Sequence, residues 1–268
     1  MEQSLELRVD RGFHFDSRGG VVKLTVVIPT YNETDNVRPM AEALFGLEIS
    51  ELDVVFVDDE SPDGTGRVAD DLSLQYPGRL SVIHRTGLRG LGRAYIDGFR
   101  WALDHGANYI VQMDCDFSHD PAYIPEFLAH MDAHDVVVGS RYVRGGKTDE
   151  DWGVGRWLLS WWANSIYTRM ILGCQVRDAT AGFKCWRRET LLGIDLDRIR
   201  SQGYIFQVEM AYVTERLGYR VLELPIYFAD RRIGQSKMTV PVKLEAALRV
   251  WEVRRRYHGL KPGDRRTA

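Results

Sequence analysis

The tripeptide Asp114-Cys115-Asp116 closes a strand-like apolar run, Tyr109 to Met113, and its two carboxylates can share one divalent cation. Hard oxygen donors of this kind suit Mg²⁺ or Mn²⁺, and a cation so held can grip the diphosphate of a nucleotide donor. An acidic triplet after a strand is equally a polar turn, so its meaning comes from its surroundings. Three other polar clusters stand at comparable places: Tyr31-Asn32-Glu33, Asp58-Asp59 at the head of DDESPDG, and Ser140-Arg141. An aromatic ring beside a carboxylate, as in Tyr31 and Glu33, can stack a base and accept its hydrogen bonds. The same residues also read as an Asn-led turn with a helix cap. Asp59 can bind ribose hydroxyls or a base edge while Ser61, Asp63 and Gly64 turn the chain into a helix. Arg141, Arg231 and Lys237 are each, singly, a solvated surface charge. Opposite an acidic metal site they can together neutralise a departing diphosphate and an anionic acceptor.

Two further stretches exclude more than they assert. Thr86 to Gly92 is glycine-rich, but it does not follow the first strand and does not read GxGxxG, which argues against a dinucleotide fold. Its glycines permit a tight entry into the next helix, with Arg89 and Arg93 as candidate phosphate contacts. Ser118-His119-Asp120 are consecutive residues with no GxSxG elbow, so they are not read as a hydrolytic triad. His119 is expected to be a loop histidine near the metal.

The elements that must position these groups alternate. Strand-like runs are Leu24 to Pro29, Leu52 to Asp59, Leu80 to Arg85, Tyr109 to Met113 and Asp135 to Arg141. Helical patterns follow the first four, from about Asn36 to Phe45, Gly64 to Gln75, Arg93 to His105 and Pro121 to Met131. Continuous apolar strands separated by helices predict an α/β domain with a parallel sheet covered on both faces. Ligands of such sheets lie beyond the carboxyl ends of the strands, where every cluster above falls. The second half contains a Trp-rich helical stretch, a helix from Tyr204 to Leu217, a strand ending in LPIYF, the loop DRRIGQSK and a final helix with a basic tail.

With 268 residues and 44% hydrophobic composition the chain can bury one sizeable core. A net charge of −3 gives no case for nucleic acid as a partner. Three cysteines without CxxC spacing argue against a disulfide framework or a zinc site and for a reducing compartment. Residues 1–22 lack the basic region and apolar core of a signal peptide and are expected to form a flexible lead-in. No run reaches about 18 apolar residues, so no membrane span is expected. The expected organisation is a lead-in (1–22), a catalytic domain (23–240) and a C-terminal helix with basic tail (241–268), in a cytoplasmic protein.

PTYNE, VDDESPDGT, GLGRAYIDGF, MDCDFSHDP, VGSRYVRGG, DATAGFKCWRR, GYIFQVEM and DRRIGQSKM occur in this order between Val26 and Met238. In these motifs the chain resembles the family 2 inverting glycosyltransferases, and within them the polyprenol-phosphate (dolichyl-phosphate) mannose synthases. The resemblance implies a GT-A-like, nucleotide-sugar-binding α/β fold with a parallel or mixed sheet and C-terminal amphipathic helices. It implies nucleotide-sugar contacts at Pro29, Tyr31, Glu33, Val57, Asp59, Asp114, Cys115, Asp116, Arg141, Arg231 and Lys237. Asp114 and Asp116 would hold the metal, and Asp116, Arg141, Arg231 and Lys237 would serve the reaction. Some members carry a glutamine two residues past the second aspartate as a further metal ligand, where this chain has Ser118. Cys115 replaces the commoner alanine.

The implied reaction moves mannose from GDP-mannose to a polyprenyl monophosphate with inversion, releasing GDP. Rival readings are glucosyl transfer from UDP-glucose to the same lipid and a non-catalytic nucleotide-sugar-binding subunit. An isoprenoid acceptor implies peripheral contact with the cytoplasmic face of a membrane, directly or through a separate membrane-spanning anchor protein. The segment containing Trp152, Trp157, Trp161 and Trp162 suits an interfacial helix, or else ordinary core packing. The tail from Arg249 to Arg266 suits an anionic leaflet, or else a disordered end.

Overall fold

Val, Ile and Leu runs with no polar alternation can be stable strands only if both faces are covered, and a computed structural model shows that cover. It describes residues 22–149, 166–229 and 240–267. Strand β1 (Leu24–Thr30) pairs in parallel with β2 (Leu52–Asp58), and β2 with β3 (Leu80–His84). On its other side β1 pairs in parallel with β4 (Tyr109–Gln112). Helices α1 (Thr34–Phe45), α2 (Thr65–Gln75) and α3 (Leu91–Asp104) connect these four strands, as the sequence pattern predicts.

The strand period of two sorts the side chains into two cores. Val26, Ile28, Val54 and Phe56 face α1, α2 and α4 (Ile124–His130). Val27, Val55 and Val57 face α3 together with the helices of the second half. Where α3 crosses the sheet it does so on Gly98. A methyl group there would overlap Val27 Cγ1 and lie 3.1 Å from Val57 Cγ2. Gly98→Ala is therefore expected to destabilise the protein by about 1–3 kcal/mol despite alanine's better helix propensity, read as a lower urea midpoint at unchanged m-value.

The sheet is mixed, within the parallel or mixed sheet that the resemblance implies, and one strand runs against its neighbours. After β5 (Val136–Ser140), the two-residue β6 (Lys147–Thr148) and α5 (Arg169–Leu172), strand β7 (Lys184–Arg187) runs antiparallel between β4 and β5. The order is β3-β2-β1-β4-β7-β5-β8, with β8 (Val221–Pro225) parallel to β5. Four residues beginning with lysine carry no strand signature, so β7 is set by its neighbours rather than by its own pattern. Helices α6 (Arg188–Ile194) and α7 (Ile205–Arg216) follow, and β9 (Tyr227–Phe228) pairs with β6 in a separate small ribbon.

The last helix, α8 (Val240–Tyr257), packs Val250, Val253 and Tyr257 into the same core as α3 and α7. Its basic tail is docked. Arg254 donates to the Ile171 carbonyl, Arg265 lies over the Tyr219 ring while bonding the Leu217 and Gly218 carbonyls, and Arg266 pairs with Asp195. The four tryptophans from Trp152 to Trp162, and Arg231 and Lys237, lie outside the described residues. Among the described residues no helix is long and apolar enough to cross a membrane.

Candidate active site

The carboxyl ends of β1, β2 and β4 open onto one cleft of about 460 Å³. Pro29, Tyr31 and Glu33 line it from the first loop, Asp59 from the second, and Asp114, Cys115 and Asp116 from the third. The opposite wall is Arg89 to Leu91 and Gln202 to Tyr204. Each of the three loops takes a left-handed turn at a residue other than glycine: Asn32 (φ 57°), Glu60 (φ 55°) and Phe117 (φ 60°). Such backbone costs about 1–3 kcal/mol per residue and persists where surrounding structure imposes it. Here each turn sits beside a residue presented to the cleft.

The Asp59 carboxylate is fixed by two hydrogen bonds. Arg85 donates to its Oδ1 while its Nε reaches Asp97 (2.7 Å), and the Gly90 N–H donates to Oδ2 (2.9 Å). Its neighbour Asp58 turns inward, accepting from Ser61 Oγ (2.5 Å), Ser61 N–H (3.1 Å) and Thr30 Oγ1 (3.2 Å), so it builds the loop. Arg89 lies over the Tyr31 ring at 4.7 Å and donates to the Tyr31 hydroxyl (2.8 Å). Glu33 accepts from Asn36 Nδ2 (2.7 Å), and its N–H donates to Thr65 Oγ1 (2.9 Å). Arg93 lines a separate, neighbouring cleft.

The carboxylate pair is held from behind. The Tyr95 hydroxyl donates to Asp114 Oδ1 (2.9 Å), and both the Ser118 N–H (3.1 Å) and Oγ (2.6 Å) donate to Asp116 Oδ1. Burial, with the adjacent Asp114 charge, keeps the Tyr95 phenol protonated far above its ordinary range, so it stays a donor. Ser118 thus orients Asp116. Among the described residues no cluster of three or more His, Cys, Asp or Glu surrounds the pair, which is unlike a structural zinc site. Two carboxylates opening on a cleft fit a hard cation that completes its shell with water and phosphate oxygens, such as Mg²⁺ or Mn²⁺.

His119 is buried behind the pair, its ring stacked on Phe183 at 5.1 Å. The Asp114 N–H donates to His119 Nδ1 (2.9 Å), so the neutral ring carries its proton on Nε2. Burial holds its pKa below the usual value against the pull of Asp114 and Asp116. Asp120 caps the following turn through Ala122 (2.9 Å), and no triad forms. The Cys115 side chain is buried in the core, and burial raises its thiol pKa, so what it offers the cleft is backbone. Val57 is likewise a fully buried core side chain and does not line the cleft.

Arg141 makes a forked pair with Asp178, Nε to Oδ2 at 2.8 Å and Nη2 to Oδ1 at 2.7 Å, and bonds Thr180 Oγ1 at 2.8 Å. Burial opposes its charge, but the Asp178 carboxylate outweighs burial and holds the guanidinium firmly protonated. It lies near enough to Asp114 to feel that charge, and its Nη1 makes no hydrogen bond among the described residues. Asp178, Tyr95, and the wall from Gln202 to Tyr204 escape the sequence reading. All but Gln202 fall in motifs noted there, GLGRAYIDGF, DATAGFKCWRR and GYIFQVEM, but nothing local reveals what they touch.

Beneath the site a buried polar chain crosses the sheet. Trp186 Nε1 donates to Gln112 Oε1 (3.1 Å), and Gln112 Nε2 (2.7 Å) and Lys184 Nζ (2.8 Å) both donate to Gln207 Oε1. Burial pushes Lys184 down to about 7, Arg141 adds to this, and Asp178 and Asp114 counter it. From about pH 7 to the unfolded-state value near 10.5, the unfolded chain binds a proton that the folded chain does not. This lysine's contribution to stability therefore rises with pH across that window and is flat and unfavourable below it. Wild type minus Lys184→Met unfolding free energy should climb by up to about 1.4 kcal/mol per pH unit there, measured by urea denaturation.

A family model described as glycosyl transferase family 2 matches residues 25–192. The chain belongs to that family. This glycosyltransferase is 44% identical over 242 residues to the undecaprenyl-phosphate mannosyltransferase of Micrococcus luteus, covering 90% of this chain and 98% of that protein. It is 43% identical over 234 residues to the polyprenol monophosphomannose synthase of Mycolicibacterium smegmatis, covering 86% and 87%. Its fold matches Mycobacterium tuberculosis glucosyl-3-phosphoglycerate synthase solved with Mn²⁺, UDP-glucose and phosphoglyceric acid. That match has TM-score 0.61 at 15% identity, over 88% of this chain and 80% of that one. The same enzyme solved with Mg²⁺ and UDP gives TM-score 0.60 at 16% identity, over the same shares. The mixed sheet flanked by helices is thus the GT-A-like fold of this family.

Proposed function

We propose that this glycosyltransferase moves mannose from GDP-mannose to a polyprenyl monophosphate, giving polyprenyl-phosphate mannose and GDP with inversion. The observation that carries this reading is the pair Asp114 and Asp116, each anchored through one oxygen by a neighbouring donor at the floor of the cleft. Carboxylates held this way are oriented as ligands for a diphosphate-bound cation. Mannosyl transfer to a lipid phosphate follows from the named activity of the two bacterial relatives.

Tyr31 with Arg89 and Asp59 with Gly90 supply a stacking surface and hydrogen-bond acceptors for the nucleoside. Asp114 and Asp116 would hold the cation, which when bound offsets charge on the leaving diphosphate. The acceptor phosphate has a second pKa near about 6, so it is largely ionised at neutral pH and needs no general base. What the protein supplies is position and charge. Arg141, kept cationic by Asp178, holds the acceptor phosphate near the donor, and Arg231 and Lys237 compensate the departing GDP.

The acceptor brings the enzyme to a bilayer. On α8, Leu248 (67% exposed) and Trp251 (55% exposed) stand three residues apart on an exposed face, with Arg249 and Arg255 beside them. Apolar and aromatic side chains amid arginines suit the interface of an anionic leaflet. Purified protein incubated with labelled GDP-mannose, Mg²⁺ or Mn²⁺ and polyprenyl phosphate should carry label into the organic phase, and labelled UDP-glucose should not. Label from UDP-glucose alone would select the glucosyl reading, and nucleotide-sugar binding without transfer would select a binding subunit.

A further inference from the structure

Glu209 is a fully buried carboxylate on α7, far in sequence from Asp114 and Asp116 and beyond the segment that the family model covers. A buried carboxylate requires donors, and Glu209 has them on two sides. From one side the backbone N–H of Arg200 (3.1 Å) and of Ser201 (2.7 Å) donate to it. From the other the Tyr257 hydroxyl (2.5 Å) and Arg256 Nη1 (3.1 Å), both on α8, donate to Oε1. The Tyr257 hydroxyl, whose single proton is shared with Glu209, also lies 2.7 Å from the Arg198 carbonyl, so the last turn of α8 touches the chain before Arg200 as well.

The gripped segment leads directly into the wall of the cleft. Gln202, Gly203 and Tyr204 line it, and the Gln202 carbonyl accepts from the Gly92 N–H at 2.7 Å. The approach is close enough to demand glycine. A Cβ on Gly92 would lie 2.5 Å from the Ser201 carbonyl, and one on Gly90 would lie 3.1 Å from the Gln202 carbonyl. Gly90 in turn fixes Asp59. A continuous line of hydrogen bonds and backbone contacts therefore joins the end of α8, through Glu209 and residues 200–202, to the carboxylate that faces the nucleoside.

We propose that Glu209 is a positioning residue for the nucleotide donor: through it, Tyr257 and Arg256 of α8 set the place of the wall from Gln202 to Tyr204. The proposal rests on reading this cleft as the donor site. The charge of Glu209 is what holds both backbone N–H groups and the phenol at once. Tyr257→Phe keeps the ring and its packing and removes only the hydroxyl. Glu209→Gln keeps the shape and turns one acceptor into a donor that faces other donors.

The test is steady-state kinetics with GDP-mannose and polyprenyl phosphate varied separately, beside calorimetric titration with GDP and Mg²⁺. Tyr257→Phe should raise the KM for the donor and the Kd for GDP by roughly tenfold, while kcat and the KM for the lipid stay within about twofold. Glu209→Gln should shift the same constants in the same direction, and Tyr257→Phe decides the matter if Glu209→Gln does not fold. Unchanged GDP affinity in a folded Tyr257→Phe, or donor and acceptor constants moving together, would overturn the proposal. A wild-type protein that binds lipid phosphate but no GDP would instead overturn the donor-site reading, and this proposal with it.

Discussion

Asp116→Asn should lower turnover by about 10²–10³-fold, equivalent to about 3–4 kcal/mol at the transition state, while leaving the fold intact. Asparagine retains an oxygen able to accept from the Ser118 hydroxyl and N–H, so the loop should keep its shape. What is lost is the negative charge that a divalent cation needs. The loss should appear in kcat and in metal-dependent GDP affinity together, with an unchanged thermal midpoint. Asp114→Asn should act in the same direction, because the Tyr95 hydroxyl can donate to the amide oxygen as it does to the carboxylate. Activity within a few-fold of wild type would show that the acidic triplet is a turn and nothing more.

The largest effect on stability is expected at Asp178. Its side chain is fully buried against an Arg141 side chain that is only 11% exposed, and it accepts from the Arg141 N–H (3.0 Å), Nε and Nη2. Asp178→Ala would leave a guanidinium in the interior without its counter-charge, costing about 3–5 kcal/mol. Removing both members is a different case, since no charge is then stranded. Asp178→Leu combined with Arg141→Met should recover much of the lost stability while abolishing transfer, because the cation proposed to hold the acceptor phosphate is gone. Urea unfolding of the two variants decides this. A loss below about 1 kcal/mol in Asp178→Ala would mean that the pair behaves as a solvated surface bridge.

The layered fold was legible because its strands are continuous Val, Ile and Leu runs whose burial on two faces follows from composition alone. The three cleft loops were legible because acidic and aromatic residues recur where those runs end. Strand β7 was not legible. Lys184 to Arg187 form a strand because β4 and β5 leave a gap that their backbone hydrogen bonds fill, and no local period announces that. The carboxylate pair could be found by residue type, but its support could not. Tyr95 meets Asp114 across 19 residues, Asp178 meets Arg141 across 37, and Glu209 meets Tyr257 across 48. Side-chain chemistry is written locally, whereas the partner that orients it is fixed only once the topology is. The basic tail teaches the same point in reverse. Its arginines read as free positive charge, yet Arg254, Arg256, Arg265 and Arg266 each have partners within the fold.

In the proposed reaction a single displacement occurs in which the lipid phosphate itself attacks, with Asp114 and Asp116 serving the leaving group and neither acting as nucleophile or base. The most direct measurement is the anomeric configuration of the mannosyl phosphate formed by wild-type protein from GDP-α-mannose, read by the one-bond carbon–proton coupling at the anomeric centre. One in-line displacement predicts a β-linked product. An α-linked product would require a second displacement or front-face attack and would contradict the account.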